Sequence, residues 1–323
     1  MDTDTKSIYG EYFKYTEEYQ KKYGQHSVVL MQVGAFFEVY GIKLTDEDDI
    51  VRSQITHFAE ICQLNVSAKT QSYENGTIVM AGFRDFTIDK YITKLTENGY
   101  TVAVFIQEKD GKVIRRILDK VYSPGTFISC ETDSNNIISN NIMTIWFDVY
   151  KPFAKTVQSK ETLVYGVSVV NIFTGQSYIF QHETSFYMNV TTFDELERFI
   201  SIYSPSEIII ISPFDKSTIQ SITQYAGIHT RVVHLIDSTD LKNEKLMRCT
   251  QQRYLKEVLS FFYKEDTFDI CKEFQEHILA TQSFCYLLNF IQEHNPTLVR
   301  RICLPEFNNT SKRVILPNHT LLQ

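Results

Sequence analysis

Apolar and polar residues in the first 126 positions alternate in runs that are typical of both helices and strands. Tyrosines at three- and four-residue steps predict an amphipathic helix over residues 7–23, ended by Gly24. A continuous apolar run predicts a strand over residues 28–33, closed by a turn at Gly34. Asp85 is the predicted N-cap of a later helix. The other predicted elements are helices over residues 50–64 and 85–98 and strands over residues 77–82, 100–107 and 112–122. This pattern predicts a mixed α/β domain.

A second pattern follows a polar segment. Residues 129–141 are rich in Ser, Thr and Asn and predict a linker. The Ile-rich run over residues 207–211 is typical of a strand buried in a parallel sheet. The other predicted elements are strands over residues 143–149, 164–173 and 176–181, with a turn at Thr174-Gly175, and a helix over residues 193–202. From about residue 243 the pattern is helical. The chain therefore has two or three domains, as its 323 residues also suggest.

The turn at Gly34 is followed by an aromatic residue and a carboxylate two positions apart. Phe36 and Glu38 face the same side of an extended chain, whereas Phe37 faces the other side. One interpretation is an ordinary strand edge with a buried aromatic and an exposed acid. The other is a wedge, in which the aromatic stacks on an unstacked base from the minor groove. Spacing alone leaves both interpretations open.

Several motifs occur in the same order as in a known family of proteins. The residues concerned are Gly34-Ala35-Phe36-Phe37-Glu38, Met80-Ala81-Gly82-Phe83, Tyr91-Ile92-Thr93-Lys94-Leu95, Gly99-Tyr100-Thr101-Val102-Ala103-Val104-Phe105-Ile106-Gln107 and Ser123-Pro124-Gly125-Thr126. Over roughly the first 126 residues the chain thus resembles the MutS family of DNA mismatch-recognition proteins. The residues of the first motif resemble those of the divergent lineage of this family that occurs in giant viruses and soft-coral mitochondria.

The resemblance implies an order of domains and a function. It implies a mismatch-recognition domain over residues 1–128, the linker over residues 129–141 and an RNase H-like connector domain over residues 142–242. Residues 243–323 would begin the all-helical core and lever region of a longer protein. The partner is double-stranded DNA with mismatches or small loops, and the connector passes the signal onward. Full-length relatives act as homodimers and use ATP and Mg²⁺. The P-loop pattern GxxxxGK[ST] does not occur in these residues, so no cofactor and no enzymatic activity are expected of them.

The resemblance also gives Phe36 and Glu38 their roles. Phe36 stacks on a mispaired or unpaired base, and Glu38 forms a hydrogen bond with it. Unstacking a base step costs a few kcal/mol, least at a mismatch, and aromatic stacking returns about 1–3 kcal/mol. Insertion is therefore favoured only where pairing is already weak. A carboxylate near phosphates is repelled unless it gains a hydrogen bond, so Glu38 is expected to penalise fully paired DNA.

The net charge of −7 argues against a protein that holds DNA with its whole surface. A local basic stretch between residues 109 and 120 aligns with a basic one in the family, and the resemblance makes Arg115, Arg116 and Lys120 expected phosphate contacts. The alternative is a solvated hairpin of mixed charge. Lys69 is a further expected phosphate contact, with an ordinary exposed lysine as the alternative. Gln71 departs from the Thr-Lys-Arg stretch common in the family, which predicts one backbone contact fewer.

Two other functions stay open. A nuclease or resolvase of the RNase H-like class would need converging carboxylates on metal ions, and Asp148 with Glu195 or Glu197 are the acids available. An interaction module that has lost mismatch sensing is the third possibility. The departures from the family pattern at Ala35, where the family usually has Asp, and at Gln71 keep it open.

Further sequence features bound the type of protein. The six cysteines form no CxxC pair and no zinc-ligand spacing, so no metal site is expected. No run of eighteen apolar residues and no signal peptide occur, which predicts an intracellular protein without membrane contact. The cytoplasm, a viral factory and a mitochondrion are not distinguished.

Overall fold

A computed structural model describes residues 8–44, 49–110, 113–127, 141–151, 161–264 and 266–308. The chain divides into two compact units. The first unit is Met1–Ile138 with Ile291–Thr297, and the second is Ser139–Phe290 with Leu298–Gln323. The predicted linker lies outside the described residues except for Asn141, which begins a strand.

The first unit is a mixed sheet with helices on both faces. Its helices are α1 (Ile8–Tyr23), α2 (Ile55–Cys62) and α3 (Ile88–Glu97). Its strands are β1 (Ser27–Val33), β2 (Phe36–Leu44), β3 (Ile50–Val51), β4 (Ser67–Tyr73), β5 (Gly76–Arg84), β6 (Thr101–Asp110) and β7 (Val113–Tyr122). The strand order is β4-β5-β2-β1-β6-β7, and β3 pairs with β2. Only β1 and β6 run parallel among these pairs.

Aromatic side chains fix which helix covers which face of this sheet. The α1 face carries Tyr40, whose ring lies 5.1 Å from that of Tyr12 on α1. The opposite face carries Phe83, which contacts Phe58 of α2 and stacks on Tyr91 of α3 at 4.1 Å. Burial of these large rings is the main source of stability here, since each removes much apolar surface from water.

Most of the predicted elements of this unit are confirmed, and two predictions are wrong in detail. The predicted helix over residues 50–64 is a short strand, β3, followed by α2. Asp85 does not cap α3, because a 3-10 turn over Asp85–Thr87 precedes that helix. The Asp85 carboxylate instead accepts a hydrogen bond from the backbone N–H of Phe86. Strand β4 is too polar to be predicted from hydrophobicity.

The second unit contains a six-stranded sheet in the order β12-β11-β8-β9-β10-β13. Its strands are β8 (Asn141–Tyr150), β9 (Thr162–Asn171), β10 (Ser177–Ser185), β11 (Glu207–Ser212), β12 (Val232–Asp237) and β13 (Glu306–Phe307). Two helices, α4 (Val190–Tyr203) and α5 (Lys216–Tyr225), follow β10 and β11. Strands β8, β9 and β10 form an antiparallel meander, and β11 and β12 extend it in parallel from β8. This topology agrees with the expected RNase H-like fold.

Helices dominate the chain after β12. They are α6 (Glu244–Cys249), α7 (Gln252–Phe262), α8 (Thr267–Ile270), α9 (Glu273–Glu276), α10 (Ile278–His294) and α11 (Pro296–Val299). The Ser283 hydroxyl of α10 donates to the Thr144 carbonyl of β8 at 2.9 Å. These helices up to Phe290 thus belong to the same compact unit as the sheet. That residues 243–323 begin a core and lever domain stays a prediction.

Candidate nucleic-acid interface

The hairpin between β1 and β2 places Phe36 at the end of the sheet. Val33 pairs with Phe36 across the hairpin, and Gly34 in the turn has a φ of +61°, which favours glycine. Phe36 is the first residue of β2 and 42% exposed, whereas Phe37 is 4% exposed and contacts Phe83 on the opposite face. The exposed aromatic is therefore Phe36, as a wedge requires.

Glu38 lies one pleat further along β2, on the same face as Phe36, and is buried. It is 8% exposed. The Lys69 Nζ lies 3.1 Å from its Oε2, and the Tyr40 hydroxyl donates to the same oxygen. The interpretation as an ordinary strand edge, with a buried aromatic and an exposed acid, is therefore wrong. The aromatic is the exposed side chain and the acid is the buried one.

Tyr40 forms the floor beneath this carboxylate. The rings of Tyr9 and Tyr12 meet it edge-on, each at 5.1 Å. Burial, followed by the hydrogen bond to Glu38, raises the pKa of Tyr40 far above its usual range, so its hydroxyl remains a donor. Gln71 accepts a hydrogen bond from Tyr9. At Gln71 the sequence predicted one contact fewer to the DNA backbone, and the side chain of this residue instead bonds within the protein.

The sequence did not indicate two further residues close to the β1–β2 hairpin. Arg84, at the end of β5, pairs with Phe36, and its guanidinium carbon lies 5.7 Å from the Phe36 ring centroid. Phe86 follows it and is 77% exposed. The N–H of Asp85 donates to the carbonyl of Ala35 at 3.0 Å, which fixes this segment against the hairpin. The antiparallel pairing of β2 with β5 would have identified Arg84, whereas Phe86 lies in the turn after β5.

Arg115, Arg116 and Lys120 do not form one cluster. Paired residues of an antiparallel ladder share a face, and Arg116 pairs with Gln107 on the α1 face. There its side chain is 12% exposed and lies 3.3 Å from the Glu11 Oε2. Arg115 pairs with Glu108 and Lys120 with Val104, which puts both on the opposite face. Arg115 is exposed and Lys120 is half-buried.

Two of the carboxylates considered for a nuclease accept hydrogen bonds from residues of their own strand or helix. Asp148 accepts a hydrogen bond from the neighbouring Val149 N–H, and Glu195 accepts two from Arg198. In the part of the chain that the structure describes, no group of three or more His, Cys, Asp or Glu side chains is arranged to hold a metal ion.

Among the described helices, none combines the length and the apolar character needed to cross a membrane.

Known proteins similar to this chain point to one family. Residues 12–131 match the model of MutS domain I. A mutS homolog (L359) of Acanthamoeba polyphaga mimivirus is 26% identical over 349 residues, which cover all of this chain and 30% of that protein. The DNA mismatch repair protein MutS of Thermodesulfovibrio yellowstonii is 29% identical over 219 residues, which cover 67% of this chain and 20% of that protein. The chain thus spans less than a third of the length of either relative.

Among solved structures, the fowlpox virus Holliday junction resolvase matches 46% of this chain and 98% of its own, with 12% identity and a TM-score of 0.27. That score is too low to support an argument. The family model covers the hairpin between β1 and β2, the paired strand β5 and strand β7. By this match residues 12–131 are a MutS domain I, and the two relatives are named as MutS proteins.

Proposed function

We propose that the first unit senses mismatched or unpaired bases in double-stranded DNA by inserting Phe36 from the minor groove. The observation that carries the proposal is the exposed Phe36 ring at the hairpin end, with the buried Glu38 carboxylate beside it on the same face. Moving an exposed apolar ring out of water is favourable, and stacking on a base is worth about 1–3 kcal/mol. Deformability of the DNA, rather than base identity, then decides where the ring enters.

Glu38 supplies the second element of the proposed recognition. The hydrogen bonds that Glu38 accepts from Lys69 and Tyr40 both reach Oε2. Oε1 is the oxygen that would accept a hydrogen bond from an unstacked base. Arg115 and Lys120 are the proposed phosphate contacts, since Arg116 is held by Glu11. The second unit would pass the signal onward to an ATPase. The pattern of a P-loop for ATP and Mg²⁺ does not occur in these residues.

The test is binding of the full-length gene product to a G·T or single-base-bulge duplex and to the matching homoduplex at stated salt. Phe36→Ala should reduce the preference for the mismatch roughly 5- to 100-fold, the equivalent of one lost stacking contact. Phe173→Ala is the matched control, because Phe173 is also exposed, at 68%, but lies in the second unit. A preference that survives Phe36→Ala in a folded protein would refute the wedge. A wild type without preference would refute mismatch sensing and favour the interaction module.

A further inference from the structure

We infer that Lys69 is a positioning residue for Glu38 and not a phosphate contact; the inference rests on the proposed function. Lys69 lies on strand β4, 31 positions along the chain from Glu38. The pairing of β4 with β5, and of β5 with β2, brings the two side chains together on the α1 face.

The Lys69 ammonium makes its contacts with other residues of the protein. Its Nζ lies 3.1 Å from the Glu38 Oε2 and 5.4 Å from the centroid of the Tyr40 ring. The Lys69 side chain is 29% exposed and that of Glu38 is 10% exposed. To reach a phosphate, Lys69 would have to leave an ion pair that is mostly withdrawn from water. Breaking such a pair leaves a carboxylate buried without compensation, which is costly.

The same contacts give Lys69 two effects on recognition. Lys69 and Tyr40 hold one carboxylate oxygen from the floor of the site, which fixes the direction of the other oxygen. The ammonium also offsets the repulsion between the Glu38 carboxylate and DNA phosphates. Glu38 is thereby an oriented acceptor that can approach DNA at a reduced electrostatic cost.

The neighbouring charges support this division of roles. Arg116 and Glu11 form a second ion pair on the α1 face, at 3.3 Å. The charge of Arg116 acts on Tyr40 and opposes the rise in the pKa of that hydroxyl, but it is the smallest of the influences named for it. Lys69 is the cation with a direct contact to Glu38 among the described residues. The loss of Lys69 therefore should not be compensated by Arg116.

The experiment couples Lys69 to Glu38 in the full-length gene product. Lys69→Met, which keeps the length of the side chain but removes its charge, is made in the wild type and in Glu38→Gln. The ratio of mismatch to homoduplex affinity is measured for each. Lys69→Met should lower this ratio roughly tenfold when Glu38 is present, the equivalent of one charge-assisted hydrogen bond. It should leave the ratio unchanged in Glu38→Gln, and Lys69→Arg should restore most of it.

A phosphate contact would behave differently. It would lower both affinities equally in both backgrounds and reduce the salt slope by about one, and this result would overturn the inference while leaving the proposed function intact. A wild type without mismatch preference would overturn both. Lys14→Met is the control for loss of charge, because Lys14 is exposed on α1. Unfolding by urea establishes that each variant is folded, and a ratio that falls equally with and without the Glu38 carboxylate also contradicts positioning.

Discussion

A Cβ atom at Gly82 would lie 2.7 Å from the carbonyl oxygen of Phe37, because β5 crosses directly beside β2 at this point. Gly82 also pairs with Glu38, whose Cγ would lie 3.3 Å from that Cβ. The absence of a side chain at residue 82 is therefore what allows the strand that carries the wedge to lie flat against its neighbour.

Gly82→Ala should accordingly displace β2 and weaken both folding and recognition. Overpacking of this kind costs about 1–3 kcal/mol, and the clash is with backbone, which cannot rotate away. Urea unfolding measures the loss of stability, and mismatch binding under folding conditions measures the displaced wedge. Unchanged stability together with unchanged binding would show that β5 moves without affecting β2.

Glu38→Ala should raise affinity for homoduplex DNA several-fold. The change removes a negative charge near the phosphates and releases the positive charge of Lys69. Equilibrium binding to a homoduplex at two salt concentrations measures the effect, which should shrink at the higher one. Glu60→Ala, an exposed acid on α2, is the control. Homoduplex affinity that stays level or drops in Glu38→Ala would contradict a discriminating role for the carboxylate.

Arg115 and Arg116, although adjacent, should give opposite results. Arg115→Ala should weaken binding to both duplexes equally and reduce the salt slope by about one, as expected of a phosphate contact. Arg116→Ala should instead lower the free energy of unfolding by about 1–3 kcal/mol. The reason is that Glu11 loses its ion-pair partner, the mostly buried Arg116 side chain. Salt-dependent binding and urea unfolding of both variants decide the matter. Loss of salt-dependent affinity in a stable Arg116→Ala would reverse the assignment.

The cysteines should differ sharply in their reaction with an alkylating reagent. Burial raises the pKa of Cys62 and of Cys249 to about 12, whereas Cys303 is exposed. Only the thiolate reacts. A raised pKa means that near pH 8 the two buried thiols remain protonated and become reactive only as the pH rises toward that value. Peptide mapping after brief labelling at pH 8 should find Cys303 modified and Cys62 and Cys249 intact. Equal labelling of all three in the native protein would contradict the described packing.

The sequence by itself was enough for the local features of the site. The hairpin follows from an apolar run and Gly34, and the shared face of Phe36 and Glu38 follows from the two-residue period of a strand. The α1 helix follows from its spaced tyrosines. Each of these rests on interactions between neighbours in the chain, which local pattern records.

The tertiary structure alone decided which side chains meet. Strand β4 is polar and gave no hydrophobic signal, yet its register against β5 brings Lys69 to Glu38. An irregularity in the pairing of β6 with β7 sets the faces of Arg116 and Lys120, so that a run of cations divides between two sides of the sheet. Strand order and register depend on packing between residues far apart in sequence. For this reason the sequence determined the shared face of Phe36 and Glu38, and the assembled sheet determined which residues surround them.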